Sequence, residues 1–192
     1  MIKPAGTRAN VLVGIAPRSN SALMEEPVWH SSGDPALVEG LAFINETARV
    51  MGRERLRLLL GEDWPRFFQL QAAYLLLWSV IERHASLAYG PSLSARKKAE
   101  KLGADQRFRE AVRRHLAGVD LDPVIYDVAD LREIELASEP LEYLRQIRHN
   151  ITHRGKAALS DGERVRLALG ALAPAFAEYL VGLGLPPNVR SP

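Results

Sequence analysis

The chain of 192 residues has no cysteine. A disulfide framework and a thiolate metal site are therefore excluded, and a reducing, cytoplasmic setting fits. No stretch reaches the roughly 18 uninterrupted apolar residues of a membrane span. The longest, residues 72–81, is too short and contains Ser79. Near the N-terminus the apolar piece at residues 11–16 is interrupted by Gly14 and lacks a signal-peptide cleavage pattern, so no membrane partner is expected. Net charge is also small, because 25 Lys and Arg barely outnumber 23 Asp and Glu to leave +2, although the pI is about 9.0. Overall charge says little about partners, and no internal repeat is visible.

What is present is a chain that is 47% apolar with only short Gly/Pro clusters, the composition of a globular protein long enough to bury a sizeable core. Residues 1–33 hold Pro4, Gly6, Gly14 and Pro17 among Ser and Asn without a sustained period. They read as a loosely ordered arm with a short strand at residues 10–15. Residues 34–185 read as a single all-α domain, and residues 186–192, opening with Pro186-Pro187, as a fraying tail.

Helix signals are frequent within that domain. Asp34-Pro35 is an N-cap followed by proline in the first helical position. Leu37, Leu41, Ile44, Ala48 and Met51 recur at helical spacing, and Leu56, Leu59 and Leu60 extend the pattern past Gly52 to a stop at Gly61. Asp63-Trp64-Pro65 starts a second helix that runs to Gly90-Pro91. It is apolar over most of its circumference, so it belongs at the centre. One of Glu82, Arg83 and His84, which follow its most apolar part, is expected to face inward; if that is Glu82, the carboxylate needs a cation, and Arg148 is the candidate. Residues 94–116 read as one or two shorter helices broken at Gly103. Residues 118–131 read as a loop with short extended or helical pieces, long enough to be partly functional. Ser138-Glu139-Pro140 starts another helix, and Ser160-Asp161-Gly162-Glu163 is a capping box for the last, which Pro174 bends. The pattern predicts an up-and-down bundle of four to five principal helices.

Chemistry concentrates in Arg145-Gln146-Ile147-Arg148-His149-Asn150-Ile151-Thr152-His153-Arg154-Gly155-Lys156. Arg148 and His153 are about 140° apart on an ideal helix, whereas Asn150 and His153 are helical neighbours. An Arg suits planar recognition of phosphate, and a His serves as acid or base near neutral pH. A second subunit across a two-fold axis would bring a matching copy of the groove. His149 and His153 have the i, i+4 spacing of a metal pair. However, Asn150 stands where a zinc-protease helix has Glu, and no third ligand is evident, so no metal is expected. Two basic clusters flank this picture: Arg145, Arg148, Arg154, Lys156, Arg164 and Arg166, and a second at Arg96, Lys97, Lys98, Lys101, Arg107, Arg109, Arg113 and Arg114. Such a surface attracts a polyanion, but solvated faces of Arg-rich helices give the same pattern. His30, His84 and His115 read as surface or satisfied polar residues.

Arg148-His149-Asn150-Ile151-Thr152-His153 resembles the R-x4-H form of the motif of the HEPN superfamily (higher eukaryotes and prokaryotes nucleotide-binding). The fuller run from Ile147 to Lys156 is similar to prokaryotic members, as is the W-S-x-x-E-R ending of the central helix, Trp78 to Arg83. The specific part is about ten residues within a likeness that spans roughly residues 35–183. The resemblance implies a HEPN-like all-α bundle that forms a homodimer with the motifs near the interface and cleaves RNA without metal or cofactor. It assigns Arg148, His153 and Asn150 to catalysis and leaves Glu82, His149, Arg154, Lys156 and Arg145 as RNA-binding or supporting residues. The 2′-hydroxyl would attack the adjacent phosphate and leave 2′,3′-cyclic ends, so DNA would resist. It further implies a toxin or phage-defence effector with an antitoxin or regulatory protein. Other members keep the bundle as non-catalytic nucleotide- or protein-binding modules.

Overall fold

The computed structural model of the chain describes residues 34–58, 61–127, 129–154 and 159–185, with residues 153, 154, 159 and 160 described by backbone alone. The N-terminal arm with its strand at residues 10–15, the tail, Leu59, Leu60, Gly155 and Lys156 lie outside the described residues. Six α-helices and one two-stranded antiparallel sheet make up the described part, so the chain is mostly helical with more helices than the four to five expected and a hairpin besides.

The first helix, α1 (Pro35–Met51), begins as the sequence predicts. Asp34 accepts a hydrogen bond from Ala36 N at 2.9 Å, and Leu37, Leu41 and Ile44 form the buried face. Its end differs from the expectation, because the helix stops at Met51 with Gly52 as its cap. Two arginines explain why. Arg66 donates to the Met51 carbonyl at 2.7 Å and Arg166 to the Gly52 carbonyl at 2.6 Å, which satisfies the terminal acceptors that a longer helix would have used. Leu56 and Leu58 instead lie against Gly162, where an added Cβ would come within 2.6 Å of Leu58.

The central helix, α2 (Trp64–Tyr89), contacts α1 and the later helices α3 (Ala95–Ala104), α5 (Pro140–Arg154) and α6 (Leu159–Gly182). It buries Phe67, Tyr74, Leu77, Trp78 and Ile81, among others, which is why its apolar residues occupy so much of its circumference. Tyr74 donates its hydroxyl to the Leu144 carbonyl at 2.7 Å, which fastens α5 to this centre. Gly90, at φ +104, ends the helix in a conformation that other residues rarely adopt.

The break between α3 and α4 (Gln106–Leu116) falls at Asp105, two residues beyond the Gly103 of the sequence reading. Asp105 N-caps α4 by accepting from Arg107 N and Phe108 N. Gly103 stays helical and faces α5, where a Cβ would sit 3.2 Å from Leu141. The following segment folds as a hairpin of β1 (Val124–Asp127) and β2 (Arg132–Glu135), with Ile125 opposite Ile134 on the buried side. Asp127 accepts from Ala129 N and Asp130 N in the turn, and Leu131 takes a left-handed φ of 52°. The last helix starts at Leu159, so the Ser160 capping box falls inside its first turn, and the Ser160 side chain lies outside the described residues. Glu163 accepts from Arg166. The helix runs on through Pro174. Residues 161–182 of α6 are long and apolar enough to cross a membrane, with mean hydropathy 1.3 over an 18-residue window, although 56% of that window is buried, as in a core helix.

Candidate functional site

Helix α5 carries the motif, and its anchoring decides what each side chain meets. Tyr143, Leu144, Gln146 and Ile147 are buried, so Arg145, Arg148, His149 and Asn150 emerge around the partly covered rest of the helix. Arg148 reaches α2, where its Nη2 stands 3.2 Å from Glu82 Oε1. Both side chains are about one-third exposed (30% and 32%), so the pair sits at a rim and not in the core. Arg145 turns to its own helix and is gripped by Glu142 through two contacts at 2.5 and 2.7 Å. That carboxylate raises the guanidinium above its ordinary pKa.

Between α2, α3 and α5 a cleft of about 20 Å³ is lined by Glu82, Arg145, Arg148, Lys98, Trp78 and Leu102. Such a space holds about one water, which needs roughly 10–15 Å³. Lys98 is the unexpected member. In the chain it belongs to the second basic cluster, yet α3 lays it beside Arg148. Its signal was present, since Ala95, Lys98, Ala99 and Leu102 recur at i, i+3, i+4 and i+7 and all line this cleft.

Asn150 faces a different neighbour. Its Oδ1 accepts from Gln146 Nε2 at 3.2 Å, and with Asp161 and Arg164 it lines a small space of about 10 Å³ against α6. Within one chain, then, Arg148 and Asn150 are not brought together. The backbone of α5 continues through His153 and Arg154, so His153 occupies the last turn, one turn beyond Asn150. The side chains of His153 and Arg154, and all of Lys156, lie outside the described residues. Thr152 donates to the Arg148 and His149 carbonyls at 3.2 and 3.1 Å. Among the described residues no group of three or more His, Asp or Glu is placed to hold a metal ion.

Of the three polar residues that end the apolar part of α2, the inward one is His84, which is 2% exposed. Glu82 takes Arg148, and Arg83 donates to Asp34 at 2.8 Å. His84 therefore departs from the surface or satisfied role expected of it. Neither ring nitrogen has a hydrogen-bond partner among the described residues, and Phe176 and Tyr179 approach its ring edge-on at centroid distances of 5.7 and 5.5 Å. Burial lowers its pKa, against a weaker opposing pull from Asp105. His115, by contrast, is satisfied, with Nε2 2.9 Å from Glu178.

Set against known proteins, the chain matches no family model, no curated protein and no solved structure.

Proposed function

We propose that the protein is a HEPN-like, metal-independent endoribonuclease acting as a cytoplasmic homodimer, a toxin or phage-defence effector that a partner protein restrains. The observation that carries the reading is the Arg148–Glu82 pair at 3.2 Å, because it holds the arginine of the R-x4-H motif at a rim, beside Lys98 and Arg145, where a phosphate can reach it. A carboxylate that is itself one-third exposed yields its arginine at little cost, since such pairs are worth about 0–1 kcal/mol. RNA bound there would present its 2′-hydroxyl to His153. The 2′-oxygen attacks phosphorus, His153 takes its proton, the P–O5′ bond breaks, and the departing 5′-oxygen takes a proton from water. Arg148 stabilises the charge that develops on the phosphoryl oxygens. Asn150 lies toward α6 and not beside Arg148 of its own chain. A site that uses both residues is completed by the two-fold partner, which is why the proposal includes the dimer.

A second reading is a non-catalytic nucleotide- or protein-binding module, favoured by the fact that Glu82 already occupies Arg148. One experiment separates the two. Wild-type and His153→Ala proteins are incubated with labelled RNA and matching DNA in chelator, and product ends are analysed. Cleavage of RNA alone, with cyclic phosphate ends and loss in the variant, is expected. A folded dimer that leaves RNA intact would move the assignment to the binding module, and activity that needs added metal would point to His149 and His153 as ligands.

A further inference from the structure

Next to the Arg148 cleft, with Ala99 of α3 in the wall of both, a cavity of about 330 Å³ opens between α3, α4, β2 and the first turn of α5. Its charges do not balance. The three carboxylates that line it are each taken by an arginine: Glu100 by Arg96 at 3.1 Å, Glu139 by Arg132 at 2.7 and 3.1 Å, and Glu142 by Arg145 at 2.5 and 2.7 Å. Arg109 and Arg113 line the same cavity and make no ion pair among the described residues. The sorting is a property of α4. Its other two arginines turn to α6, Arg107 onto the Gly182 carbonyl and Arg114 onto Glu178. Arg109 and Arg113, four residues apart, stand on one face about 6 Å from each other along the helix axis.

Two uncompensated guanidiniums in a concavity form a site for a dianion, and the planar fork of arginine matches phosphate oxygens. The start of α5 lines the same space at Leu141, and the N-terminal end of a helix favours negative charge. Phe108, Val112 and Leu141 contribute apolar surface, and the volume falls at the small end of the range of about 300–1,000 Å³ typical of ligand sites. We infer that this cavity binds a small organic phosphate, with the phosphate group on Arg109 and Arg113 and an apolar body against Val112 and Leu141. The site does not rest on the nuclease reading, because its phosphate-binding residues are Arg109 and Arg113 of α4, and Arg148 is not among the described residues of its wall.

The test is a ¹H–¹⁵N NMR titration of the full chain with phenyl phosphate, inorganic phosphate and phenol. Phenyl phosphate is expected to give saturable shifts at the amides of residues 109–113 and 139–142, with inorganic phosphate binding more weakly and phenol producing no such pattern. The double variant Arg109→Gln/Arg113→Gln should weaken phenyl phosphate binding at least tenfold. Arg107→Ala, on the same helix but turned to α6, should bind as wild type, and both spectra report whether the fold is kept. Shifts that map elsewhere, phenol binding as tightly as phenyl phosphate, or a folded double variant that binds like wild type would each overturn the inference.

Discussion

Arg145 and Arg148 of α5 and Arg109 and Arg113 of α4 line neighbouring spaces and are opposite in circumstance. Arg145 and Arg148 each meet a carboxylate, and the cleft they share holds about 20 Å³. Arg109 and Arg113 meet none among the described residues and line about 330 Å³. Pairing keeps a long side chain aligned but occupies it. An anion arriving at Arg148 competes with Glu82, whereas one arriving at Arg109 and Arg113 displaces only water. On the proposed reading, the motif arginine is held in place for a substrate that outcompetes a rim carboxylate, whereas Arg109 and Arg113 form the open anion site inferred above.

The sharpest way to break that contrast is at the motif. Arg148→Ala or His153→Ala should lower RNA cleavage about 10²–10³-fold or more. Product formation by folded variants, checked by circular dichroism, is the measurement, and a loss of less than threefold would leave the α5 arginine a purely structural residue. A smaller effect is expected where α5 is fastened. Tyr74→Phe removes the buried hydroxyl that donates to the Leu144 carbonyl, at a cost of about 1–2 kcal/mol in urea unfolding. An unchanged midpoint would mean that packing alone positions the motif.

His84 extends the comparison to a buried polar group with no hydrogen-bond partner among the described residues. Its folded pKa is lowered by burial, so the unfolded chain binds the extra proton. Stability is then lost as pH falls below about 6.5, where the unfolded imidazole protonates, and the loss continues until pH passes the lowered folded value. Its steepest slope is about 1.4 kcal/mol per pH unit. His84→Leu should flatten that part of the stability profile, and a variant whose stability falls between pH 7 and 5 as steeply as wild type would assign the dependence to other groups. Smallest of all is Glu82→Gln, which should alter stability by less than about 1 kcal/mol, as expected for a pair one-third exposed. A larger loss in thermal unfolding would show that the pair is a structural clasp and that the two groups of arginines differ less than their surroundings suggest.

Much of the helical frame was legible locally. Asp34-Pro35, Asp63-Trp64-Pro65, Gly90-Pro91 and Glu139-Pro140 each mark an end through backbone chemistry confined to a few residues, and the structure has helix ends at all four. The sequence pairs Arg148 with Glu82 on the premise of an inward carboxylate; the two do meet, but at a rim, and the inward residue is His84. The end of α1 was not legible, since Gly52 is a stop only when Arg66 and Arg166 arrive from elsewhere to take its carbonyls. Nor was the hairpin, whose short strands depend on the Ile125–Ile134 pair.

The sequence by itself determined where most helices begin, which helix is central, and that an arginine, an amide and a histidine share one helix end. Those are consequences of capping, periodicity and adjacency along the chain. Only the tertiary structure decided which arginines are neutralised. Arg109 and Arg148 are alike as residues, and what separates them is whether another helix brings a carboxylate within reach. It likewise decided that Lys98 joins Arg148, that Asn150 does not, and that His84 is the residue turned inward. Each depends on packing between elements distant in sequence; spacing along α3 gives the face on which Lys98 lies but not the neighbour that face meets.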